Sequence, residues 1–219
     1  LSTMEKLFKT FKSMDLKLEA EKTYFSHIVK SGILPQKISL SKKRADELIT
    51  ELSSINSFIS DLAAHRQYSE VGKSLRQCKD TKIDLLANIL CVFNSSINYT
   101  KIFRHLLGDH VDLKSQSLEV LKGAIGPKRM DAVISVLEPP KKRESALRPI
   151  EILENLADLQ DQETLLSIIT LINAESFPDF KNFLLKCLQS GPEGVRKPSL
   201  ENLFRYEEDK EFIVETCQK

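Results

Sequence analysis

Apolar residues recur along this chain in steps of three, four and seven, and almost nowhere in steps of two. From Ser2 to Val29 one stripe runs through Met4, Leu7, Phe8, Phe11, Met14, Leu18, Phe25, Ile28 and Val29. That spacing puts every one of these side chains on one face of a long α-helix. The rhythm returns in shorter segments as far as Cys217. The pattern predicts an all-α fold.

The punctuation between stripes predicts the elements. The first helix should stop near Ser31-Gly32, since glycine is the usual residue just past a helix end. Ile33-Leu34-Pro35 reads as an extended connector. Ser39 or Ser41 then caps a second helix carrying Ala45, Leu48, Ile49, Leu52, Ile55, Ile59 and Leu62. Two long helices joined by a short loop should form an antiparallel hairpin. Ser69 opens a short helix with Val71 and Leu75. Thr81-Lys82-Ile83-Asp84 has the form of a capping box, with aspartate for the usual glutamate, and starts a separate stripe. Within that stripe Leu86, Ile89, Leu90 and Phe93 are expected at the centre of the core. Tyr99 to Leu107 reads as a further helix closed by Gly108.

After residue 112 the helices shorten. Leu113–Ala124 ends at Gly126, and Pro127 fits the first turn of a helix with Met130, Val133, Ile134 and Leu137. Pro139-Pro140-Lys141-Lys142-Arg143 breaks the chain. Ile150–Leu159 follows, then a helix capped by Asp161 and one capped by Ser176 that carries Phe180, Phe183, Leu184 and Cys187. Gly191-Pro192-Glu193-Gly194 reads as a loop before Ser199–Tyr206 and Asp209–Cys217.

Runs of short helices joined by tight turns are how HEAT- and armadillo-like solenoids look, although no motif repeats at a fixed period. The expected architecture is an antiparallel helical hairpin followed by short packed helices, as a HEAT/armadillo-like array or an irregular bundle. Residues 1–110 should hold the hairpin and its short companions, and residues 111–219 the short-helix array, in one continuous helical domain. Val71-Gly72-Lys73-Ser74-Leu75-Arg76-Gln77-Cys78-Lys79-Asp80 resembles the middle of the small helical domains of transcription-elongation factors and their chromatin-tethering relatives. The resemblance implies reading of partner peptides. It omits the basic and aromatic tail of that pattern.

Composition changes the picture little. A chain of 219 residues buries roughly 70% of the surface its unfolded form exposes, so it folds without disulfide or metal. Charge is near balance at +1, but it is uneven. Residues 1–110 carry 17 lysines and arginines against 12 acids, and residues 111–219 carry 15 against 19, together the 32 and 31 of the whole chain. Cys78, Cys91, Cys187 and Cys217 lie far apart, as buried free thiols of a reducing compartment do. No apolar run approaches the eighteen or so residues of a membrane span. The sequons at Asn94 and Asn98 fall in or beside predicted helix and read as accidental. The chain begins at Leu1, which reads as a piece of a larger protein, so a missing leader carries no weight.

Candidate chemistry is thin. His105, Asp109 and His110 fall close together, but Gly108 separates them, and a capped helix end with solvated polar residues is the expectation. His27, beside the apolar stripe, reads as a partly buried histidine, and His65 as part of a polar turn. Gly72-Lys73-Ser74 lacks the upstream glycine and strand of a phosphate loop. No zinc spacing occurs. The sequence therefore predicts no enzyme, no cofactor and no metal. Basic clusters are the better clue: Lys6, Lys9 and Lys12; Lys42, Lys43 and Arg44; and Lys73, Arg76, Lys79 and Lys82. Phenylalanines fall on core stripes rather than among these cations, which weakens single-strand nucleic-acid binding. The leading expectation is a scaffold or adaptor module, cytoplasmic or nuclear, that binds another protein through an amphipathic helix or peptide. Its partner surface would be Met4, Leu7, Phe8 and Phe11 with the flanking lysines. The alternative is nucleic-acid binding by Lys42, Lys43, Arg44, Lys73, Arg76 and Lys79.

Overall fold

A computed structural model describes residues 14–31, 35–138, 147–159, 161–171 and 180–206. Ten α-helices and no strand occur among the described residues, so the all-α expectation holds. They are α1 (Met14–Ser31), α2 (Pro35–Leu62), α3 (Ser69–Cys91), α4 (Tyr99–Leu107), α5 (Val111–Ile125), α6 (Pro127–Leu137), α7 (Pro149–Ala157), α8 (Gln162–Leu171), α9 (Phe180–Ser190) and α10 (Glu193–Tyr206). A single 3-10 turn, Arg66–Tyr68, precedes α3.

The helices form two compact units, residues 1–56 with 79–140, and residues 57–78 with 141–219. Each unit draws on both halves of the chain, and the breaks fall inside α2 and α3.

The first unit is closed by α1, α2 and α3 with α4, α5 and α6. Phe25 and Ile28 of α1 share one core with Ala45, Leu48 and Leu52 of α2, and with Leu86, Ile89 and Leu90 of α3. Glu21 of α1 meets Arg44 of α2 at 3.2 Å, and the two lie at nearly equal distances from the connection. That pairing is the antiparallel hairpin the sequence predicted. Asn98 caps α4 by accepting the Lys101 N–H at 3.0 Å. Gly126 ends α5 and begins α6 in one residue, at φ 79°. That left-handed backbone is open to glycine at little cost and strained for other residues. Pro127 then takes the first position of α6, as expected.

The second unit packs α9 against α7 and α10, and α10 against α8. Its core holds Val71, Leu75, Ile152, Leu156, Leu165, Ile168, Phe183 and Leu184. Phe180 and Phe183 stack with centroids 5.9 Å apart. Asp161 does cap α8: its carboxylate accepts from the Thr164 N–H and hydroxyl. Lys186 of α9 donates to the Glu154 carbonyl at 2.9 Å and to Asp158 at 2.8 Å, placing a cation at the C-terminal end of α7.

Four expectations are corrected. First, α2 begins at Pro35 rather than at Ser39 or Ser41, because proline is pre-organised for the first turn. Second, the short helix at Ser69 and the stripe after Thr81 are one helix of 23 residues. No glycine or proline stands between Gln77 and Cys91, and one weak cap signal does not stop a helix that packs along its length. Third, α10 starts at Glu193 and runs through Gly194 and Pro198, so the loop is only Gly191-Pro192. Val195, Ser199 and Leu203, four apart, are all buried and carry it. Fourth, Phe93 is half-buried, packing on the edge of the core under the Arg129 guanidinium, 5.7 Å from its ring centre. The segments expected at Pro139–Arg143, Ser176 and Asp209–Cys217 lie outside the described residues.

Candidate functional site

The six cations of the expected basic patch are split between the units. In the first unit, Lys42 and Lys43 are exposed at the outer side of α2, Lys43 beside Glu47 at 3.7 Å. Arg44 turns inward, donating to Glu51 at 2.8 Å and Glu21 at 3.2 Å. Lys79 is buried, and its ammonium donates to the Glu138 carbonyl at 3.2 Å, just past α6. Burial lowers its pKa, against a smaller upward pull from Asp80. In the second unit, Lys73 pairs with Glu70 one turn earlier, and Arg76 is exposed. Lys82 is 1% exposed and bound to Glu51. Arg44, Lys79 and Lys82 thus serve the interior of the first unit. Their sequence signal is positional: Lys82 falls on the stripe Leu75, Cys78, Leu85, Ile89, and Glu21 on the stripe with Phe25 and Ile28. Charges on an apolar stripe are buried ion pairs in waiting. Met4, Lys6, Leu7, Phe8, Lys9, Phe11 and Lys12 lie outside the described residues.

The candidate acid–base residues do not assemble into a relay. His105 Nδ1 faces the Ser117 hydroxyl at 3.3 Å, while Asp109 and His110 are exposed. His27, expected partly buried, is exposed, because α1 buries Glu21, Phe25 and Ile28 and turns His27 away. Gly72-Lys73-Ser74 lies within α3, and Ser74 hydrogen-bonds Ser167 at 3.0 Å inside the second unit. Cys78 and Cys187 are buried and Cys91 half-buried, all as free thiols. Burial pushes the Cys187 thiol up to about 12.

Two surface features of the first unit stand out. The turn from α4 into α5 exposes Leu107 (52%), Val111 (74%) and Leu113 (37%), and the third turn of α5 exposes Val120 (46%). Helix α5 carries apolar residues on two sides. Leu121, fully buried, and Leu118 and Ile125, partly buried, face the core, whereas Leu113 and Val120, seven residues apart, share an outward side. At the joint of α5 and α6 lies an open cavity of about 530 Å³. Ile49, Ile125, Pro127 and Ala132 supply its apolar wall, and Asp46 and Arg129 its polar rim. Arg129 holds Asp46 through two nitrogens at 2.9–3.0 Å. The signal for the first was present in the sequence as apolar residues on two sides of one helix, which a single-stripe reading passes over.

No protein-family model, curated protein or solved structure matches this chain. No helix among the described residues is long and apolar enough to cross a membrane.

Proposed function

We propose that the chain is a non-enzymatic helical module that binds another protein, and that the α4–α5 corner of its first unit takes part in that contact. The observation carrying this reading is the set of exposed aliphatic side chains Leu107, Val111, Leu113 and Val120. Clustered apolar exposure on a folded unit marks interaction surfaces. An amphipathic helix is the natural occupant, since the outward side of α5 offers anchors at helical spacing. The free thiols favour a reducing compartment, cytoplasmic or nuclear.

The test is the double variant Leu113→Asp with Val120→Asp, in parallel with the wild-type chain. Both positions are exposed, so the melting temperature should move by only a few degrees. Co-purification compared by quantitative mass spectrometry should lose a defined set of partners in the variant. Identical partner sets in the two preparations would remove this corner from the proposal.

A further inference from the structure

Of the fifteen residues of α5, only Ser117 and Leu121 are buried. The helix packs on α4 and α6 and leaves its remaining side outward. On that side Leu113, Gln116, Val120 and Gly123 follow one another in steps of three, four and three, and all four are exposed. Such spacing is the a and d seam of a coiled coil, two heptads long. Gly123 adds a separate sign. Glycine inside a helix costs stability relative to alanine. The chain's own packing does not require it, since an added Cβ would meet no neighbouring group within 4 Å. A second helix lying close against the seam would.

The two edges of this seam carry charges of opposite sign. Asp112 and Glu119, seven residues apart, border the outer edge. Lys114 and Lys122 project from the far side of the helix, as about 3.6 residues per turn dictates. The other edge adjoins α4 through the 3.3 Å contact of Ser117 with His105. There α4 exposes Lys101 and Arg104. Among the described residues, Asp112, Glu119, Lys101 and Arg104 make no ion pair.

Building on the reading of this corner as a protein contact, we propose that its occupant is α5 of a second copy, packed parallel about a two-fold axis. A two-fold contact is self-complementary, because each copy presents the same patch. With the helices parallel, the acidic edge of one α5 meets the α4 edge of the other. Asp112 and Glu119 then face Lys101 and Arg104 twice over. With the helices antiparallel, acid edge would meet acid edge, and like charges oppose pairing. The parallel arrangement also sets Gln116 opposite its own copy, and a side-chain amide both donates and accepts. One polar residue in a seam fixes register at a cost in stability. An unrelated helix would have to bring both charged edges in matching order, which a second copy carries already. Helix α5 is about 22 Å long. Two such helices bury less than the roughly 800 Å² per partner of a standard interface. The dimer is therefore weak, half formed near about 0.1 mM.

Sedimentation equilibrium of the full chain is run from about 10 μM to about 1 mM, a range that spans the expected constant. Reducing buffer removes disulfide-linked species. A reversible monomer–dimer equilibrium is expected. Leu113→Asp with Val120→Asp should weaken it about tenfold or more, as charges enter the centre of an apolar contact. Gly123→Lys is the second seam variant, should the first fail to fold, because open space surrounds that position in the single chain. The charged edges have a test of their own. Asp112→Lys with Glu119→Lys makes both edges basic, and Lys101→Glu with Arg104→Glu makes both acidic. Each of these variants alone should stay monomeric, and their equimolar mixture should restore the dimer. A native chain still monomeric at about 1 mM would overturn the self-pairing while leaving the corner open to a different protein. A dimer untouched by the seam variants would overturn both the self-pairing and the corner. Charge variants that each dimerise as well as the native chain would overturn the parallel pairing, and the proposal with it.

Discussion

Arg129 both forks Asp46 and covers the half-exposed ring of Phe93. Phe93 therefore loses less than a fully buried phenylalanine when truncated. Phe93→Ala should cost about 2 kcal/mol, below the ~3–5 kcal/mol of a fully enclosed ring, as read from urea midpoints. Glu151 gives a prediction with a sign. It accepts the Arg148 backbone N–H at 2.8 Å and the Arg148 guanidinium at 2.9–3.0 Å, and these bonds hold its pKa below the ordinary 4.5. A carboxyl depressed in the folded state stabilises it above the unfolded pKa and loses that contribution as pH falls. The wild-type advantage over Glu151→Gln should be full at neutral pH and shrink as pH drops through 4.5. A constant difference across acid unfolding curves would show that Glu151 does not titrate with folding. Cys187 combines burial with a thiol pushed up to about 12, so both access and thiolate fraction oppose its reaction. Brief alkylation of the native protein near pH 8 should label half-buried Cys91 ahead of Cys187, as measured on digested peptides.

At the level of elements, the ends are where side chains decide. The C-terminal carbonyls of α6 are met by Asn56, which donates to Ser135 and Val136 at 3.3 and 3.1 Å, and by Lys79 at Glu138. Asn56→Ala should cost about 1–2 kcal/mol, because it strips partners from the end of that helix. Gly191 closes α9. Its N–H donates to the Cys187 carbonyl at 3.0 Å, and an added Cβ would run into that same carbonyl. Gly191→Ala should cost about 1–3 kcal/mol, since backbone must move to admit the methyl. An unchanged urea midpoint would mean that the last turn of α9 yields freely. The elements also mark the limits of local signals. Asp161 at α8 and Pro127 at α6 acted where their chemistry said they should, and Asn98 caps α4 without having been marked as a cap. Thr81 did not interrupt α3, and Gly194 and Pro198 did not stop α10. A cap or breaker contributes on the order of 1–3 kcal/mol. Burial of a stripe such as Val195, Ser199 and Leu203 is set against it, and here burial prevails.

For the molecule as a whole, charge placement matters more than charge count. Lys79 is buried and Arg44 paired in the first unit, and Lys73 and Arg76 belong to the second. Binding to generic duplex DNA should accordingly be weak, with a salt slope below that of about three phosphate contacts. A steeper slope in a fluorescence titration would favour the nucleic-acid reading. The alternation of apolar and polar residues was enough to establish the helical class, the hairpin of α1 and α2, and most of the stripes, because helical periodicity is a property of neighbours in sequence. It could not place Asn56 and Ser57 in different units of one helix, join Ser69 to Cys91 without a break, or tell that Lys82 is interior while Leu113 and Val120 are outside. Those outcomes depend on which distant segment covers which face. A stripe states that a helix has a side to bury, and only the packed chain decides which of its sides is covered, and by what.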